Sequence, residues 1–195
     1  MISKFVDRKA EMAALEEHLL PARQQSRRKV AVLHGLGGIG KTQLSVEFCR
    51  RHADTFTAVF WLDGRSEDTL KRSLAAMAAQ IPRGQLPEAS GSRTLTSGED
   101  VDAAVKDVLD WLSIPANSSW LLIFDNVDTD FKDPKAPPGA YDVQRFYPNA
   151  DHGSILVTTR LSTLAPLGTP VKVDRVDRQQ ALAIFRSNYK DFQGI

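Results

Sequence analysis

The sequence predicts an α/β domain, a parallel sheet of five strands with helices on both faces. Three observations carry that prediction. Five short runs rich in Val, Ile and Leu alternate with segments of helical periodicity, the pattern of strands buried on both sides. A glycine cluster, HGLGGIGKT at residues 34–42, joins the first such strand to a helical run. The chain has 195 residues, enough for one domain that buries roughly 70% of its unfolded surface. It needs no disulfide staple, and its single cysteine, Cys49, has no partner for one.

Taken in order, the first element is an amphipathic helix over Asp7–Leu20, with Met12, Leu15, Leu19 and Leu20 as its inner stripe. The basic run Arg27-Arg28-Lys29 is read as a solvated strand entrance. Lys29–His34 is the first strand, and Lys41–His52 the helix that follows the glycines, with Leu44, Val46 and Phe48 available for its inward face. Cys49 is expected on the inner side of that helix as an inert core thiol. Thr57–Asp63 is the second strand, Glu67–Gln80 a helix, and Pro82–Ser97, polar and rich in turn formers, a surface loop. A helix over Glu99–Leu112 precedes the third strand, Trp120–Asp125. The irregular stretch Thr129–Ala140 leaves that strand's carboxyl end, where a role at a ligand site stays open. Ser154–Thr158 and Pro170–Val173 complete the sheet, and Arg178–Tyr189 carries a last helical pattern. Strand-to-strand connections are expected to be right-handed crossovers.

Glycine costs roughly 1 kcal/mol more than alanine in a regular element, so four glycines in six residues need a reason. Gly35-x4-Gly40-Lys41-Thr42 is a complete GxxxxGK[ST] loop. In such a loop backbone N–H groups curl around a β-phosphate, and the helix opening at Gly40 turns its positive end to the anion. Gly35, Gly37, Gly38, Ile39, Gly40, Lys41, Thr42 and Gln43 are therefore the candidate phosphate-binding residues. Lys41 would reach the β- and γ-phosphates, and the Thr42 hydroxyl would ligate Mg²⁺.

Two further pieces lie at strand ends. WLLIFD ends in Asp125, which at the carboxyl edge of a core strand would hold the magnesium; alone, such an aspartate is as often a turn former or helix cap. SILVTTR brings Arg160 to the same edge, where a planar, permanently charged guanidinium suits a γ-phosphate, the alternative being a surface ion pair.

The charge balance, 25 basic against 24 acidic residues, argues against a large nucleic-acid footprint. No apolar run approaches the ~20 residues of a membrane span. A lone free cysteine and the lack of a signal peptide suit a reducing, cytoplasmic compartment.

In this order and separation, HGLGGIGKTQL, WLLIFDNVD and GSILVTTR resemble the NB-ARC family of signal-transduction ATPases, most of all its fungal members. Phe5-Val-Asp-Arg8 sits where that family has an adenine-contacting Val-Gly-Arg segment. Phe60-Trp-Leu62 resembles its second strand, and Val176–Phe185 the segment after its fifth. The resemblance implies a P-loop NTPase sheet of order 2-3-4-1-5 and ATP or ADP with Mg²⁺ as cofactors. It puts Phe5 and Val6 over the base, Arg8 near the nucleotide, and Arg160 as the sensor that tells ATP from ADP. Trp61 and Trp120 are assigned to packing.

The chain also departs from the family. Asp7 replaces a glycine in the adenine segment. Asn126 stands where many relatives have a second acid, and a neutral amide orients water without accepting its proton. Asp128, two residues on, is a substitute acid or a turn cap. Slow hydrolysis is expected. The family's later Gly-x-Pro motif and histidine are not found. The expectation is thus residues 1–28 as a helical and adenine-contacting segment and 29–195 as a nucleotide-binding domain taken from a longer protein. Helical, winged-helix and repeat domains would act in cis; the isolated domain is expected to be monomeric, with self-association in the activated full protein. The function implied is a nucleotide-operated switch of an intracellular immune receptor. The competing readings are a catalytic kinase or phosphohydrolase and an ATP-dependent transcription regulator.

Overall fold

A computed structural model of the chain describes residues 8–21, 27–82, 84–86 and 97–175. Phe5, Val6, the Val176–Phe185 segment, the Arg178–Tyr189 helix and most of the 82–97 loop lie outside the described residues.

Strands β1 (Lys29–His34), β2 (Ala58–Asp63), β3 (Trp120–Asp125), β4 (Ser154–Thr159) and β5 (Thr169–Lys172) form one parallel sheet. Its order is β2-β3-β4-β1-β5, as the resemblance implied. Helices α1 (Lys9–Leu19), α2 (Lys41–Arg51), α3 (Glu67–Met77) and α4 (Gly98–Leu112) cover it. The first and third strands begin and end where the apolar runs do. Elsewhere the ends shift by a residue or so, and the α3 pattern closes in a 3₁₀ turn, Ala78–Gln80.

Local chemistry sets the helix starts. Ser66 accepts from the Thr69 amide while the Thr69 hydroxyl accepts from Ser66 N–H; Ser97 and Asp100 repeat this reciprocal cap on α4. Acids follow each cap in the first turn, Glu67 and Asp68 on α3, Glu99 and Asp100 on α4, facing the positive end of the dipole.

The core divides by strand alternation. Val32, Phe60, Leu62, Trp120, Leu122, Phe124, Ile155 and Val157 pack under α3 and α4. Ala31, Leu33, Leu121, Ile123, Leu156 and Val171 pack under α1 and α2 with Met12, Leu15, Leu19, Leu44 and Phe48. Leu20 and Cys49 are half-buried at the margin of this second cluster. Burial pushes the Cys49 thiol up to about 11, consistent with an inert role.

Two packing expectations are corrected. Val46 is 52% exposed: it lies two residues from Leu44 and from Phe48, which puts it on the opposite side of a helix of 3.6 residues per turn. Trp61 is 40% exposed, unlike the buried Trp120. β2 is an edge strand, and on the face that Val59 and Trp61 share, α1 and α2 sit over β1, β4 and β5 instead. The basic run is tied down more than expected. Arg28 donates to the Pro148 carbonyl at 2.8 Å and stacks over Tyr147, and Lys29 Nζ donates to the Leu20 carbonyl.

Candidate phosphate-binding site

β1 ends between its two neighbours. Gly35 N–H donates to the Thr159 carbonyl at 3.3 Å and Val173 N–H to the His34 carbonyl at 2.8 Å. At Gly35 a Cβ would stand 2.3 Å from the Val173 carbonyl oxygen, so no larger residue fits where the loop leaves the sheet. At the other end Gly40 precedes α2 with φ of 100°, a left-handed conformation that places no side chain over the helix start. No side chain caps α2, and its first-turn amides, which have no intrahelical partner, face the loop.

Residues 37–43 line a cleft of about 490 Å³ with Asn126 and Arg160. Seven of the eight predicted phosphate-loop residues are thus gathered there, and Gly35 forms the root of the loop. Lys41 is buried, and its Nζ donates to the carbonyls of Gly35 (2.8 Å) and Leu36 (3.0 Å). Desolvation lowers its proton affinity most; Asp128 and Asp125 oppose that, and Arg160 adds to it. These four charges therefore share one electrostatic neighbourhood.

Asp125 is almost fully buried at the end of β3. Its Oδ1 accepts from Thr42 Oγ1 at 3.1 Å and from Thr158 Oγ1 at 2.6 Å. Asn126 Nδ2 donates to Oδ2 at 3.2 Å. Thr158 is wholly buried on β4, and its oxygen also accepts from the Asn126 N–H at 3.0 Å. That bond holds Asn126 at φ of 62°, a left-handed turn that asparagine tolerates better than most residues. The Asp125 carboxylate is thus anchored to the phosphate-loop helix and to β4 together. Carboxylate and hydroxyl oxygens this close form a hard donor set of the kind that suits Mg²⁺.

Arg160 leaves the end of β4 and lies across the loop, its Cδ 3.5 Å from where a Cβ on Gly37 would be. Its backbone N–H donates to Asp128 Oδ1 at 2.7 Å, and its Nε forms an ion pair with Oδ2, also at 2.7 Å. Arg8 is buried beneath the loop: its guanidinium donates to the carbonyls of Ile39 (2.9 Å) and Asp174 (2.9 Å) and pairs with Glu11. These bonds brace the loop from behind. The 129–140 stretch contributes no lining residue to the cleft.

Sequence reasoning missed Thr158 as part of the site and left Asp128 unassigned. The first is one of two adjacent threonines, and only strand register tells which of them faces Asp125.

Among known families, residues 4–173 match the AAA ATPase domain. Among solved structures the chain is similar to Cdc6p from Pyrobaculum aerophilum, with a TM-score of 0.61 and 15% identity. The match covers 97% of this chain and 52% of that one, so the chain spans about half the length of that structure. At this identity the likeness shows the fold alone. A prototypical ATPase from the type III secretion system of pathogenic bacteria aligns over 89% of the chain and 52% of its own at 12% identity; its TM-score of 0.29 carries no argument. No curated protein matches the chain.

Proposed function

This chain belongs to the AAA ATPase domain family, and from that premise we propose that it is the ATP/ADP-operated switch of a larger intracellular signalling receptor of the NB-ARC kind. That it is a nucleotide-binding P-loop NTPase domain follows from the family and the sheet order. The switch reading rests on one observation above all. Arg160, from β4, lies against the glycine loop at Gly37, lines the same cleft as Lys41 and carries a fork suited to a terminal phosphate.

In this reading the loop amides and Lys41 hold the β-phosphate in both nucleotide states. Arg160, already paired with Asp128 through Nε, gains a second anionic partner only when a γ-phosphate is present. A ligand shifts a conformational equilibrium only through differential affinity, and a swing from 1:99 to 99:1 needs roughly 5.5 kcal/mol. Arg160 supplies part of that difference. Thr42 and Asp125 would hold Mg²⁺, which when bound neutralises phosphate charge. Asn126, whose amide donates to Asp125, would orient water without taking its proton, which supports slow turnover over the competing catalytic reading. Phe5 and Val6 are proposed as base contacts. Arg8, bonded to the loop's own carbonyl, is better suited to bracing the site than to reading the base. Further helical and winged-helix subdomains of a longer protein would close over the nucleotide, and exchange would control self-association.

Calorimetric titration of ADP and of ATP, each with and without Mg²⁺, tests this reading, with Lys41→Ala as control. Binding that favours one nucleotide and disappears in the control is expected. Equal affinity for ATP and ADP in the presence of Mg²⁺ would remove the switch reading and leave a plain nucleotide site.

A further inference from the structure

Asp128 carries no role in the proposed scheme, yet it makes the tightest contact of the Arg160 side chain. Its two oxygens take different donors. Oδ1 accepts the Arg160 backbone N–H and Oδ2 forms an ion pair with Nε, each at 2.7 Å. One carboxylate therefore holds both the turn after β4 and the charged end of the arginine that leaves it. Among the described residues no further hydrogen bond or ion pair occupies the two terminal guanidinium nitrogens, and the Arg160 arm lies against Gly37 at the rim of the cleft. Asp128 itself is fixed by its neighbours. Val127 N–H donates to the Thr158 carbonyl at 2.9 Å, so the turn that carries the aspartate is laced to the strand that carries the arginine.

We infer that Asp128 is a positioning residue for nucleotide discrimination: it holds Arg160 by its inner edge so that the outer fork stands ready for a γ-phosphate. This rests on the reading of Arg160 as the γ-phosphate sensor. The energetic logic is preorganisation. A free arginine loses rotamer freedom when it clamps a phosphate, and one already held has less to lose. A negative charge near a γ-phosphate by itself disfavours ATP, so positioning and simple charge predict opposite effects for its removal.

The test is calorimetry on the whole chain in Mg²⁺ with ADP and with a slowly hydrolysed ATP analogue. The proteins are the parent, Arg160→Ala, Asp128→Asn, Asp128→Glu and the Arg160→Ala/Asp128→Asn double variant. In Asp128→Asn one oxygen still accepts the backbone N–H, but the amide nitrogen opposes Nε. Asp128→Glu keeps the charge and loses the register, and it also serves if the asparagine variant folds poorly. Both Asp128 variants are expected to lower the ATP-analogue/ADP affinity ratio by about three- to tenfold, with ADP affinity and melting temperature unchanged. The double variant should be no worse than Arg160→Ala. A ratio that rises in Asp128→Asn, or stays at the parent value in Asp128→Glu, would overturn the inference while leaving the sensor intact. A parent-like ratio in Arg160→Ala would instead remove the sensor reading on which it rests.

Discussion

Replacing Thr158 by valine removes one oxygen and keeps the shape, which makes it the sharpest probe of how the site is built. Thr158 is wholly buried, and its hydroxyl donates to Asp125 at 2.6 Å and accepts from Asn126 N–H at 3.0 Å. In the variant a half-buried backbone N–H loses its acceptor, which costs about 1 kcal/mol, toward the low end for an unsatisfied group, and the carboxylate loses a charge-assisted bond worth about 1.5–3 kcal/mol. Thr42 and Asn126 still donate to Asp125, so part of the second loss is recovered. A destabilisation of about 3 kcal/mol is expected, which for a domain of this size lowers the melting temperature by roughly 6–12 °C. Urea denaturation gives the free energy, and scanning calorimetry checks the midpoint. Thr158→Ser keeps the hydroxyl and loses a methyl, so it should fall by only about 1 kcal/mol. If valine costs under 1 kcal/mol, or serine as much as valine, the anchoring of Asp125 through Thr158 is wrong.

Glu47 accepts hydrogen bonds from Arg50 and then Arg51, which hold its carboxyl at about 2. Its folded-state affinity for protons is depressed, so its contribution is complete above the unfolded value near 4.5 and fades as pH falls toward 2; Glu47→Gln should flatten that acid limb in pH-dependent unfolding. Cys49, pushed up to about 11 by burial, should react with a thiol reagent at neutral pH far more slowly in the folded chain than after denaturation. ATP turnover should lie below about 1 s⁻¹, and Asn126→Asp, which supplies a proton acceptor, should raise it by on the order of tenfold or more. A phosphate-release assay with no gain would strip Asn126 of its role in slow turnover.

What could be read in advance divides along a physical line. Periodicity reports which residues share a face, and the unbroken apolar runs of β1 and β3 showed both strands to the residue because both are buried on two sides. The phosphate loop was legible because its chemistry is local: eight residues in a row carry their own spacing. Val46 misled because its apolar character outweighed its place on the helix, and Trp61 because no periodicity tells an edge strand from a central one. Thr158 and Asp128 were out of reach for another reason. Each acts on a residue about thirty positions away, Asp125 and Arg160 respectively, and that adjacency exists only once β3 and β4 pair in register.

The strand order also sets a timetable for synthesis. β1 carries the glycine loop and leaves the ribosome early, but its two sheet neighbours are β4 and β5, the last two of the described strands. At roughly 5–20 residues per second, Ser154 follows Lys29 by on the order of ten seconds. Throughout that interval the loop has no Thr159 carbonyl to anchor Gly35, and Arg8 has no Asp174 to brace it. A nascent chain therefore holds the full glycine signature before it holds a cradle. A transcript cut short before β4 would yield a chain that carries the motif without the Thr159 anchor of its loop.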